Sequence, residues 1–230
     1  MTAVSSPTQK MAARRAENGR IKRAKTRESL LYAAFEVLGH ETSRNAQIED
    51  VLAKAGMSRG TFYNYFQSRE DLLNTISFEL SHHFDIGLEH TADPPTRTSF
   101  AIRTYLRQAW QDRQWGWAII NISLNGQVLF GAATYRYAME TMQAGVDSGD
   151  FTIPSVRHGL DLLTGASLMA MNSLLRDEVG VEYIEEIALL ILLGLGISRV
   201  RAEALVRLPL PALERNKELF TMPPPDSSDS

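Results

Sequence analysis

The stretch from Asn45 to Leu73, NAQIEDVLAKAGMSRGTFYNYFQSREDLL, contains two short helices and a turn. Ile48, Val51 and Leu52 recur at helical spacing over about 46–54, and Asn45 offers a side-chain oxygen where that helix would begin. Gly56 stands where it would stop, because glycine takes left-handed backbone without a Cβ penalty. Ala55-Gly56-Met57-Ser58 is a linker of the length that sets two helices nearly perpendicular. Met57 can pack under the corner, and Ser58 can cap a second helix reaching Phe66. This is a helix-turn-helix, whose second helix is the one that enters a DNA major groove.

The composition of that second helix agrees with a reading role. Phe62 and Phe66, four residues apart, form an apolar face that anchors it. Ser58, Arg59, Gly60 and Tyr63 lie toward its N-terminal and outer sides. Arg59 can reach guanine O6 and N7 or a phosphate, and Gly60 leaves room for the duplex. Tyr63 and Tyr65 offer hydroxyls to phosphates or ring faces to thymine methyls. The alternative makes both tyrosines core aromatics of a bundle, although two tyrosines bracketing Asn64 suit one buried face poorly. Ser68 and Asp71 form an S-x-x-D capping box for a fourth helix, Arg69 to about His90, and Arg69 can grip a phosphate from its first turn.

Toward the N-terminus, Leu30, Leu31, Ala34, Val37 and Leu38 mark a first helix from about Arg23. The preceding twenty residues show no apolar period and read as a disordered basic arm, 1–20. Residues 10–27 carry eight Lys or Arg against the single acid Glu17, whereas residues 81–230 hold 12 basic and 18 acidic residues. A basic end on a mildly acidic body describes a polyanion-binding module, and equally a solvated tail. The 230-residue chain contains no cysteine, which excludes disulfides, thiolate metal sites and a cysteine nucleophile. Its start has no signal-peptide h-region, and its longest apolar run, Ile187 to Ile197, is too short to span a bilayer. A cytoplasmic location is the expectation.

The run AGMSRGTFYNYFQSREDLL, with TRESLLYAAFEVL over Thr26–Leu38 before it, resembles the signature of the TetR family of transcriptional regulators. The resemblance covers roughly 26–76. It implies an N-terminal three-helix DNA-binding domain with Ser58, Arg59, Gly60 and Thr61 nearest the bases. It implies Tyr63, Asn64, Tyr65 and Arg69 on base edges or phosphates, with Gln47, Thr26 and Arg27 near the backbone. Tyr65 and Arg69 stand where histidine and lysine are commoner, and Ala46-Gln47 replaces a threonine pair. Leu52 replaces a small alanine, and Thr42 a glycine.

Beyond Thr91–Thr96, TADPPT, where Pro94 and Pro95 are expected to break the chain, the period is again helical. Helices are expected over 97–112, 115–124, 128–146, 155–177, 181–195 and 199–207. The fold class is therefore all-α, about nine or ten helices, with the helix-turn-helix domain over 21–67, a larger helical bundle over 68–220 and a disordered tail over 221–230. In 155–177, Leu162, Ala166 and Met169 lie on an apolar stripe; in 181–195, Ile184, Ile187, Ala188, Ile191 and Leu195 are nearly continuous. Such helices are covered on both sides, by their own domain and a partner chain, or else form the core of a monomer. The resemblance favours a homodimer. Tyr105, Trp110, Trp117, Asn121, Tyr135 and Met139 suit an apolar ligand pocket with a few polar groups, and suit a bundle core as well. The pocket itself is implied by the resemblance.

His83 and His90 share a helix face but lack a third ligand, so no metal is expected. No cofactor is expected either, and no catalytic constellation stands out. The function implied is a sequence-specific DNA-binding regulator: a repressor dimer on a near-palindromic double-stranded operator, released by a small apolar or aromatic effector. The alternative is an activator or DNA-bound structural regulator whose C-terminal domain binds a protein partner.

Overall fold

The computed structural model describes residues 7–82, 93–125, 130 and 132–210. Regular structure among them is helical throughout: α1 Pro7–Leu38, α2 Ile48–Ala55, α3 Arg59–Tyr63, α4 Arg69–His82, α5 Pro94–Gln111, α6 Arg113–Asn125, α7 Ala132–Asp147, α8 Val156–Leu175, α9 Tyr183–Gly194 and α10 Arg199–Arg207. A 3-10 turn at Glu41–Asn45 follows α1. The all-α class holds. His83, His90, the break at Thr91-Ala92 and the tail from Pro211 onward lie outside the described residues.

Three local expectations change. The first helix already includes Pro7, the first described residue, so the arm expected to be disordered over 1–20 is helix from that residue on. Residues 9–17, QKMAARRAE, are nearly all strong helix formers, a preference that carries no apolar period. Pro94 and Pro95 open α5 rather than break the chain. They fill its first turn behind Asp93, whose carboxylate accepts from the Thr96 amide at 3.3 Å. The cap of α2 is Gln47, not Asn45: the Gln47 amide donates to Asp50 Oδ2 at 2.7 Å.

The N-terminal unit closes around Leu30, Ala34, Leu38, Val51, Leu52, Phe62, Phe66, Leu72 and Ile76, all buried. In the body, α5 packs against α6, α7, α8, α9 and α10. Its buried Ser99 and Arg103 donate to the carbonyls that close α10: Ser99 Oγ to Leu205 O at 3.3 Å and Arg103 Nη2 to Leu208 O at 2.8 Å. A cation at a helix C-terminus is electrostatically favoured. Glu185 of α9 lies 3.6 Å from the same guanidinium, offsetting the burial that lowers the Arg103 pKa.

Candidate nucleic-acid interface and the helical body

The turn between α2 and α3 is built as its residues demand. Gly56 takes φ +64°, the left-handed region, and lets the Met57 amide reach back to Leu52 O at 3.0 Å. Ser58 is extended and its hydroxyl accepts from the Thr61 amide at 3.2 Å. Phe62 is fully buried and Phe66 nearly so, their ring centroids 5.6 Å apart, which fixes α3 on the core by one face. The α-helix proper ends at Tyr63, short of the expected Phe66, although the Phe66 amide still bonds Phe62 O at 3.0 Å.

The opposite face is polar and open. Ser58, Arg59, Gly60 and Asn64 are exposed, Thr61 is half-buried, and Tyr63 is 55% exposed, so Tyr63 is no core aromatic. Tyr65 is half-buried and packs on the core. Among the described residues, a Cβ added at Gly60 would meet only Ser58 Oγ, at 3.8 Å, so none of them requires glycine there. Open space on that side is what close approach of a duplex needs.

The cations around α3 are engaged in ways the sequence did not reveal. Arg59 forms an ion pair with Glu49 of α2, both largely exposed, and a nucleic acid would have to displace that carboxylate. Arg69, expected on a phosphate, donates Nη2 to Ala46 O at 2.8 Å and ties α4 to the start of α2. Gln47 is exposed, with its side-chain amide donating to Asn45 O at 2.8 Å. The Thr26 hydroxyl donates to Lys22 O at 3.0 Å, and the Arg27 guanidinium lies 5.8 Å from the Phe66 ring centroid. Helical separation could have suggested none of these except the Thr26 bond.

The six residues expected around a ligand differ in exposure and in their partners. Tyr105 is held by the Thr134 hydroxyl at 3.0 Å and by edge contacts to Trp115 and Phe130, at 5.6 and 5.8 Å between centroids. Burial pushes its phenol pKa up. Trp117 is buried and Tyr135 half-buried, but Trp110 and Met139 are exposed on the surface. Asn121 is fully buried and donates its side-chain amide to Leu38 O and His40 O, both at 2.8 Å, so its polarity serves the chain itself. What sequence reading missed is a set of buried hydroxyls. Among the described residues, Thr104 of α5, Thr141 of α7 and Ser167 of α8 have no hydrogen-bond partner, and these three helices pack on one another. An unpaired buried hydroxyl costs about 1–3 kcal/mol, which a bound polar atom would recover.

Comparison with known proteins assigns both halves. Residues 30–76 match the family described as bacterial regulatory proteins, tetR family, and residues 93–207 match the tetracyclin repressor-like C-terminal domain. The chain belongs to the TetR family. As a member it is a DNA-binding transcriptional regulator. It is 41% identical over 66 residues to the uncharacterized HTH-type transcriptional regulator YvdT of Bacillus subtilis (strain 168), a match that takes in 29% of this chain and spans 30% of YvdT. Among solved structures, RolR in complex with resorcinol aligns with a TM-score of 0.57 at 24% identity, covering 84% of this chain and 98% of RolR. The fatty acid degradation regulator FadR from Bacillus halodurans aligns at 0.53 and 19% identity, covering 72% and 94%. At those identities the likeness speaks for the fold.

In this TetR-family chain α6 joins body to reading unit together with α4, which packs on α1 and on α6 and α7. Besides Asn121, Gln114 Nε2 donates to Glu36 Oε1 at 2.6 Å and Asn125 Nδ2 to Arg44 O at 2.7 Å. The Gln114 bond, helped by Lys54 at 3.3 Å, holds the Glu36 carboxyl below its ordinary pKa. The outward faces of α8 and α9 divide the expected dimer residues. Ile184, Ala188, Ile191 and Leu195 are buried within their own domain and have no surface left for a partner. In a continuous apolar run, spacing alone cannot say which side turns inward. Leu162, Ala166 and Ile187 are half-exposed and Met169 is 63% exposed; Leu190, not anticipated, is 59% exposed.

Proposed function

We propose that this regulator is a cytoplasmic homodimeric repressor. Its reading domain, 21–67, binds one half of a near-palindromic operator, and its body, 68–220, dimerises and senses a small apolar or aromatic molecule. The observation that carries the DNA-binding part is the division of α3: Phe62 is sealed into the core while Arg59, Gly60 and Tyr63 stand open beside it. Ser58, Thr61, Asn64 and Tyr65 complete the reading surface, with Thr26, Arg27, Gln47 and Arg69 at its margin. One helix reads few base pairs, and two copies on half-sites about 34–36 Å apart supply the rest. Leu162, Ala166, Met169, Ile187 and Leu190 form the pairing face.

For the sensing role, support comes from Thr104, Thr141 and Ser167, whose unpaired hydroxyls lie inside the body, and from the aromatic wall of Tyr105, Trp115 and Phe130. Resorcinol is RolR's ligand; a small aromatic molecule bearing hydroxyls suits this combination too. Ligand among α5, α7 and α8 would move α6, and through Asn121 and Gln114 the end of α1, so that half-site spacing no longer fits. The ligand can shift the equilibrium only by its differential affinity for the two states. Nothing in the proposal calls for catalysis or a cofactor.

The purified chain should retard DNA from its own promoter region and sediment as a dimer. Arg59→Ala with Tyr63→Ala should abolish specific retardation, and Met169→Glu with Leu190→Glu should yield monomers. Small phenols that raise the melting temperature should release the DNA. Binding to no neighbouring intergenic DNA would sink the repressor reading.

A further inference from the structure

The stripe of α1 that is apolar inside the N-terminal unit turns to arginine where the helix leaves it. Steps of four and three residues back from Leu38 give Ala34, Leu31, Arg27, Arg23 and Arg20, with Leu30 beside Leu31. Leu38, Ala34, Leu31 and Leu30 are buried, Arg27 is half-buried beside Phe66, and Arg23 and Arg20 are exposed. Such steps keep to one helix face. Arg23 and Arg20 therefore lie on the side of α1 that carries the three-helix unit, not on the side turned away from it. At about 1.5 Å per residue, Arg20 stands about 10 Å beyond Arg27. Arg14, Arg15 and Lys22 are also exposed on this extension, and Glu17 is the one acid between residues 10 and 27.

We propose that the N-terminal extension of α1 is a second DNA-binding element, with Arg23 and Arg20 clamping backbone phosphates that flank the sequence read by α3. This rests on the DNA-reading role of α3. Two features favour duplex phosphates. The charge is concentrated and complementary to a polyanion, and the ladder is continuous with the face that packs on the reading unit. Because the extension is helix rather than tail, its cations are held at fixed register, and a guanidinium fork matches a phosphate. Arg20 bonds Glu17 at 2.8 Å, but both are exposed and three residues apart, a contact a phosphate displaces readily. Phosphate contacts of this kind add affinity and salt dependence without sequence preference.

The test uses the full chain on an operator selected from random duplexes, prepared with long and with trimmed flanks. The double variant Arg20→Ala, Arg23→Ala changes exposed residues only, and unchanged melting confirms its fold. On the long duplex its affinity should fall at least tenfold, and the slope of log K against log salt should become shallower by about 2, near 0.9 per phosphate lost. On the trimmed duplex wild type and variant should converge. Glu17→Gln should tighten binding to the long duplex. Equal affinity and equal slope for wild type and variant on the long duplex overturn the proposal. If Arg59→Ala still abolishes specificity in that case, the reading role of α3 survives. Loss of affinity in the arginine variant with no effect of Arg59→Ala would leave the ladder standing and overturn the role of α3.

Discussion

The two halves of the molecule keep their polar residues in opposite places. From Leu30 to Ile76 every buried residue is apolar or glycine, and the polar groups of α2 and α3 are half-buried at most. From Ser77 onward the interior takes in Thr98, Ser99, Arg103, Thr104, Gln108, Asn121, Ser123, Thr141, Thr164 and Ser167. The first half is a small apolar clamp that displays chemistry on its outside, as recognition of a rigid external surface requires. The second conducts its polar chemistry inside, where each group must find a partner within the chain or in a bound molecule. A core without polar exceptions tolerates no lost volume, whereas a core with unpaired hydroxyls holds places where removing a group helps.

Substitution separates the halves most sharply at Phe62. Phe62→Ala should destabilise the N-terminal unit by about 3–5 kcal/mol, because a fully buried ring is lost from a unit too small to collapse around the cavity. Denaturant unfolding followed by hydrogen exchange should show α1–α3 opening ahead of α8 and α9. A single transition in which both halves lose protection together would erase the distinction. Asn121→Ala comes next, at about 1–3 kcal/mol, since it leaves Leu38 O and His40 O without their buried donor. Its signature is local: amides over 38–44 should exchange faster while those of α8 hold.

The same contrast explains what could be read from the residues alone. The spacing of Leu30, Ala34, Leu38, Val51, Phe62 and Phe66 revealed the reading unit, because one apolar face and one polar face give a clean period. Gly56 and Ser58 marked the turn by backbone chemistry that does not depend on distant residues. In α9 the apolar residues run nearly without interruption, so the inward Ile184, Ala188 and Ile191 and the outward Leu190 look alike in sequence. Asn121 drew notice as a polar group among aromatics, the right residue for the wrong partner: its acceptors lie some eighty positions earlier in the chain. The extension of α1 escaped notice because propensity, not packing, makes it helical. Pro94 and Pro95 misled because proline breaks a helix everywhere except in the first turn.

A smaller effect, of opposite sign, is expected inside the body. Thr141→Val and Thr104→Val keep the side-chain shape and remove a buried hydroxyl without a partner. Each should raise stability by up to about 1 kcal/mol, and thermal melting of the ligand-free protein checks it. A drop in melting temperature would mean that these hydroxyls are already satisfied by something bound. The two variants together should also weaken any effector that protects the protein against heat, which Phe62→Ala cannot imitate.

The smallest change in stability carries the most information about function, and it concerns two glycines four residues apart. Gly56 has φ +64° and open space around it, so Gly56→Ala introduces left-handed strain of about 1–2 kcal/mol and no clash. Gly60 is helical, and an added Cβ touches nothing closer than Ser58 Oγ at 3.8 Å. Gly60→Ala should therefore leave stability unchanged or raise it by about 0.4–1 kcal/mol, by restricting the unfolded chain. If α3 enters a groove by its Gly60 side, the same methyl should cut operator affinity at least tenfold while the melting temperature does not fall. Gly56→Ala should do the reverse, lowering the melting temperature and sparing affinity measured well below it. Should Gly60→Ala bind as tightly as wild type, the duplex does not approach on that side, and the reading face must be sought around Tyr63 and Asn64 instead.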